Sequence, residues 1–211
     1  MGVSSYPGGK DVWPHLPVQQ TANELKIGQW QVMQRWETPL MERLAEFVTH
    51  NRGDVLEVGF GLGISADAIL RKGCRSYTVI EAHPMIAEKA REWGSNASVA
   101  VTVHEGFWQD IVPTLAKRFD GILFDTYPLT EDEWLSNHFP FIPIAPSLLT
   151  EGGVLTYFSD ETVDFRAEHI RLLLAAFKDI RLVRIDGLEP YPGCEYWTAD
   201  HMIVPIARHV L

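Results

Sequence analysis

The chain lacks a long apolar run: nowhere in its 211 residues are there the roughly 20 consecutive hydrophobic residues of a bilayer-spanning helix, so no membrane partner is expected. Cysteine is scarce. Cys74 and Cys194 are the only two and form no CxxC, which fits a reducing cytoplasm better than a disulfide-stapled secreted fold. The opening MGVSSYPGGKDVW has no basic-then-apolar signal pattern, and Tyr6 stands where a myristoylation site wants Ser or Thr. Positive charge is also in deficit. Against 28 Asp and Glu there are 18 Lys and Arg, and the net charge of -10 has the wrong sign for a nucleic-acid partner. The eight histidines include no HxH or HExxH, so no metal site is expected.

What is present reads as one domain with an arm. Residues 1–25, rich in Gly, Pro and polar side chains, read as an arm lying over the domain, with Trp13 as its anchor; residues 26–211 read as the domain. Thr38-Pro39 reads as an N-cap followed by proline in the first helical turn, with Leu40, Leu44, Phe47 and Val48 at helical spacing until Asn51-Arg52-Gly53. Strands are then expected over 55–58, 77–81, 99–104, 120–125 and 153–158, with helices over 65–72, 84–93 and 162–178. Two last strands, 180–185 and 201–207, follow each other without a helix and suggest an antiparallel hairpin. This alternation implies an α/β fold: a seven-stranded, mostly parallel sheet with helices on both faces.

In such a sheet, ligands bind outside the carboxyl ends of the strands. Gly59, Gly61 and Gly63 follow the first of these strands, and Glu81 ends the second, where a carboxylate can accept hydrogen bonds from ribose hydroxyls. Phe107-Trp108-Gln109 offers aromatic walls and one amide to a flat polar base. A dinucleotide fold uses the same glycines and acid, and a GxGxG is also compatible with a tight turn and no ligand. Asp125 ends the fourth strand, and Glu37 lies in Arg35-Trp36-Glu37-Thr38-Pro39; taken alone, Glu37 is also compatible with a first-turn or Arg-paired acid and Asp125 with an ordinary strand-end acid.

The run VLEVGFG, with Glu57 inside the strand, resembles motif I of Rossmann-like, S-adenosylmethionine-dependent methyltransferases. The blocks VMQRWETPLM, VLEVGFG, GFWQD, FDGILFDTYPL, GGVLTYF and CEYW…MIVP, in this order over about residues 13–205, resemble the guanidinoacetate N-methyltransferase family. The resemblance implies a class I methyltransferase fold, S-adenosylmethionine as cofactor and a small guanidino acceptor: guanidinoacetate, giving creatine, or a related guanidine such as arginine or agmatine. It implies that Glu37 and Asp125 grip the guanidinium, with Tyr127 beside them, and that Trp13 closes over the site. Around the cofactor it implies Met33, Met41, Phe60, Gly61, Leu62, Gly63, Ile64, Ser65, Glu81, Ala82, His83, Trp108, Gln109 and Asp125. The alternative is another small-molecule amine or an oxygen as acceptor on the same fold.

The chemistry suits the residues. A guanidinium is planar and protonated at neutral pH, so its nitrogens become nucleophiles only as a proton leaves. Carboxylates can align it and take that proton; Asp125 is the expected base and Glu37 the orienter. The chain departs from the family at three places, one of them a shorter segment after the turn at residues 159–161. Ser159-Asp160-Glu161 stands where neutral side chains flank the amides that meet the acceptor's carboxylate, and Trp197 stands where a tyrosine is expected. Two acids there would repel a carboxylate and favour a neutral or cationic far end, unless they face solvent at the next helix.

Overall fold

The computed structural model describes residues 6–210. Its elements in chain order are β1 (Val18–Gln20), β2 (Glu24–Ile27), β3 (Trp30–Gln34), α1 (Thr38–Val48), β4 (Asp54–Val58), α2 (Ile64–Lys72), β5 (Ser76–Glu81) and α3 (Pro84–Gly94). There follow β6 (Ala100–Glu105), α4 (Trp108–Ile111), β7 (Phe119–Phe124), α5 (Ala145–Leu148), β8 (Leu149–Tyr157), α6 (Ala167–Ala176), β9 (Asp179–Asp186) and β10 (His201–Arg208).

β4 is buried at every position, its acids Asp54 and Glu57 included, as expected of a parallel strand covered on both faces. It pairs in parallel with β5 and β7, and the main sheet has the order β6-β5-β4-β7-β8-β10-β9. β10 runs antiparallel to both β8 and β9, so the closing hairpin is as expected. Alternation divides the core: Val55 and Leu123 join one buried layer with Leu40, Leu44 and Ile69, while Leu56, Ile122 and Phe124 join the other with Phe141 and Leu173. No helix among the described residues is long and apolar enough to cross a membrane.

Three local features differ from the sequence reading. β1, β2 and β3 form a separate antiparallel sheet, and the expected arm boundary at residue 25 falls inside β2. These strands are only three to five residues long, too short for alternation to mark them. Thr38 is the first residue of α1, not its cap; Glu37 holds the cap position. Finally, α6 starts at Ala167, because the preceding turn is held by side-chain bonds to Glu161.

Candidate active site

The strand order carries the loops after β5, β4, β7 and β8 side by side at the carboxyl ends of these strands, where they line a cleft. Glycine is required in the β4 loop. Gly59 has φ +92°, and a Cβ there would lie 1.9 Å from the backbone oxygen of Asp125. Behind the loop, Glu57 is fully buried and accepts from the hydroxyls of Ser65 and Tyr77; burial pushes its carboxyl up to about 8. It supports the loop and does not reach the cleft.

Glu81 ends β5 and accepts the N–H of Phe60 at 2.8 Å and of His83 at 2.8 Å, so one carboxylate ties the two loops together. The Sδ of Met33 accepts the N–H of Leu62 at 3.3 Å and closes the glycine loop from the side. Trp108 and Gln109 form the adjoining wall, with Trp108 packed edge-on against Phe124 and Phe141.

Across the cleft, the short helical turn Arg35–Glu37 delivers Glu37, which is 2% exposed. Its Oε1 accepts the Gln34 N–H at 2.8 Å and the Tyr196 hydroxyl at 2.6 Å. Asp125 follows β7 into the same cleft. Burial pushes Glu37 above the usual carboxylate range, and the nearby charge of Asp125 adds to the rise. Burial likewise raises Asp125, with a further contribution from Asp160. Trp13 stacks on Tyr127 with ring centres 5.7 Å apart and roofs this end.

Most expected site residues come together here. Trp13, Met33, Glu37, Phe60, Gly61, Ser65, Glu81, Ala82, Trp108, Gln109, Asp125, Tyr127 and Asp160 all line the cleft. Others do not. Met41 is wholly buried in the core, and Ile64 packs into the same core at the start of α2. Leu62 and Gly63 shape the loop without lining the cleft; Gly63 takes φ +73° against the Phe60 ring. His83 caps α3 and reaches Leu16 O at 3.0 Å, holding the arm in place.

The acidic turn splits. Asp160, at φ +60°, enters the cleft, whereas Glu161 turns into the protein and binds Arg166 Nε at 2.9 Å and His169 Nδ1 at 2.9 Å. Trp197 is buried against Phe158, outside the lining; its neighbour Tyr196 occupies the cleft. Tyr196 was missed because its motif CEYW offers two aromatic rings and no pattern to choose between them. Phe107 lines the cleft beside Trp108, as expected, and Lys10, Phe158 and Asn137 also line it without any distinguishing motif.

Sheet order, hairpin and glycine loop together define a Rossmann-like, S-adenosylmethionine-dependent methyltransferase fold. Spermidine synthase from Thermotoga maritima superposes with a TM-score of 0.65 at 16% identity, covering 92% of this chain and 72% of that one. The O-methyltransferase TomG from Streptomyces achromogenes gives a TM-score of 0.57 at 20% identity, covering 82% and 80%.

The sequence profile of guanidinoacetate N-methyltransferase matches residues 10–209, and the chain belongs to that family, with S-adenosylmethionine as its cofactor. Similar curated proteins include protein arginine N-methyltransferase 2 of Emericella nidulans, 36% identical over 195 residues, 85% of this chain and 45% of that protein. The protein of that name from Aspergillus oryzae is 28% identical over 195 residues, 85% and 46% of the two. The chain therefore spans about half the length of these curated relatives. The residues present fit the cofactor: Glu81 for vicinal hydroxyls and Trp108-Gln109 for a flat base, beside a loop whose Gly59 and Gly61 line the cleft.

Proposed function

We propose that the protein methylates a guanidino nitrogen of a small molecule. The observation that carries this reading is the meeting of Glu37 and Asp125 in one cleft, with Oε2 of Glu37 and both carboxylate oxygens of Asp125 hydrogen-bonded to nothing among the described residues. Asp125 and Oε2 of Glu37 thus offer free acceptor sites in one cleft, and a planar cation with several N–H donors can fill them. A guanidinium is such a cation, and the names of the family and of its curated relatives all concern guanidino acceptors.

When bound, S-adenosylmethionine supplies a methyl group on a cationic sulfonium. Glu37, fixed by Gln34 and Tyr196, orients the guanidinium. Asp125, raised toward neutrality, takes the proton from the attacking nitrogen, since a base titrating near the working pH is the most effective. Trp13 and Tyr127 keep water from this end, and holding nitrogen, methyl and sulfur in line supplies most of the rate gain. The family name suggests guanidinoacetate, and the relatives' names an arginine side chain of a protein. Methyl transfer from labelled S-adenosylmethionine to guanidinoacetate, arginine, agmatine and unrelated amines tests the reading. Turnover of any guanidine supports it; cofactor binding with silence on all guanidines sinks it in favour of another amine or an oxygen.

A further inference from the structure

The cleft holds more carboxyl groups than the proposed reaction uses. Besides Glu37 and Asp125 it contains Asp160, whose carboxylate makes no hydrogen bond among the described residues and which burial pushes up to about 7. The other lining acids are engaged: Glu81 by the backbone of the β4 and β5 loops, and Glu133 by the N–H of Leu129 at 2.7 Å. Cations are nearly absent. Lys10 is the one basic side chain among the described lining residues, and it pairs with Asp110 at 3.2 Å. Arg166, the cation whose charge reaches Asp160, is taken by Glu161 and by the backbone oxygen of Leu135.

Position decides what Asp160 meets. The order β5-β4-β7-β8 sets Glu81, the glycine loop, Asp125 and Asp160 in sequence along the carboxyl ends of these strands. Asp160 therefore lies on the side of Asp125 away from the cofactor loop, where the far end of an acceptor gripped by Asp125 would extend. A sulfonium and a guanidinium leave the half-buried Asp160 as the lining carboxylate with neither a hydrogen bond nor a ligand partner, and an ammonium at the acceptor's far end would supply one. The carboxylate of guanidinoacetate would add a further negative group beside it.

We propose that Asp160 determines acceptor specificity, and that the acceptor is a guanidine with a second cationic group, an ammonium, at its far end. This rests on the reading of Glu37 and Asp125 as the guanidinium grip. Glu161, locked to Arg166 and His169, positions the turn that holds Asp160 in its left-handed conformation.

The test compares agmatine, with an ammonium tail, butylguanidine, with a neutral one, and guanidinoacetate, with an anionic one, as acceptors for the full chain. Agmatine should exceed both in kcat/KM by at least about tenfold, the worth of a charge-assisted hydrogen bond. Asp160→Asn suits the φ of +60°, which Asn tolerates, so the turn is kept. It should raise KM for agmatine and bring the agmatine-to-butylguanidine ratio toward one, with cofactor affinity as the control for folding. Equal use of the three guanidines, or a variant that depresses all three alike, overturns the role of Asp160 while leaving the guanidine reading intact. Silence on every guanidine with the cofactor still bound overturns that reading, and this inference with it.

Discussion

The hydroxyl of Tyr196 donates to Oε1 of Glu37 at 2.6 Å, joining residues 159 positions apart in the chain. The bond favours the ionised form of a carboxyl that burial and Asp125 push the other way. Glu37 must be charged to hold a guanidinium, so Tyr196 helps to set the pH range in which the site works. Tyr196→Phe should move the acid limb of the pH profile of kcat/KM to higher pH and lower kcat/KM by about tenfold at neutral pH. A limb that stays in place would separate Glu37 from acceptor binding.

Asp125→Asn keeps the shape of the side chain and removes the base. The rate constant for transfer should fall by about 10² to 10⁴, the usual worth of a positioned general base, with S-adenosylmethionine affinity largely retained. Turnover kinetics and calorimetric titration of the cofactor check the two halves. A parallel loss of cofactor binding and activity would mean that Asp125 serves the cofactor instead.

The acids of the cleft also set the pH dependence of stability. Glu37, Asp125 and Asp160 have folded pKa values above those of the unfolded chain, so between about pH 4 and about pH 8 the native ligand-free protein binds more protons than the unfolded one. Stability contributed by these groups is thus present in acid and lost as pH rises through that window. The thermal midpoint of the ligand-free protein should fall from about pH 5 to about pH 8, and Glu37→Gln with Asp125→Asn should flatten the fall. Thermal scans across pH measure it; parallel curves for variant and parent would contradict the assignment.

Gly59→Ala tests the glycine loop. The added Cβ meets the Asp125 carbonyl oxygen at 1.9 Å from a backbone at φ +92°, so the loop must shift. The expected outcome is a loss of about 2 kcal/mol or more in stability, together with loss of cofactor binding. Denaturant unfolding and cofactor titration report the two effects. Gly152→Ala is a contrasting control: its φ of +76° also disfavours a side chain, but nothing lies within 4 Å of the added atom. It should weaken the fold without affecting the cofactor.

The sheet was legible because parallel strands buried on both faces are mostly apolar, and Val55 to Val58, broken only by Glu57, and Ile122 to Phe124 read as such. The glycine loop and Glu81 were legible because each occupies a fixed place relative to its strand. The small sheet β1–β3 was not legible: its strands are short, and Leu25 and Ile27 are buried by tertiary packing with no long pattern of their own. Neither was the division of labour in Asp160-Glu161. Adjacent acids look alike in sequence, yet the left-handed turn at Asp160 sends one into the cleft and the other to Arg166 and His169.

By itself, then, the sequence determined the fold class and the place of the glycine loop, since these follow from periodicity and from a motif contiguous in the chain, while the pairing of Glu37 with Asp125 was expected from the family resemblance. Tertiary structure decided which side chains face the ligand. Whether Tyr196 or Trp197 enters the cleft, whether Met41 joins the core, and whether His83 serves the cofactor or the arm depend on what packs behind each residue. The partners that settle these choices come from distant parts of the chain, and the short segments carrying the residues hold no local pattern from which they can be read.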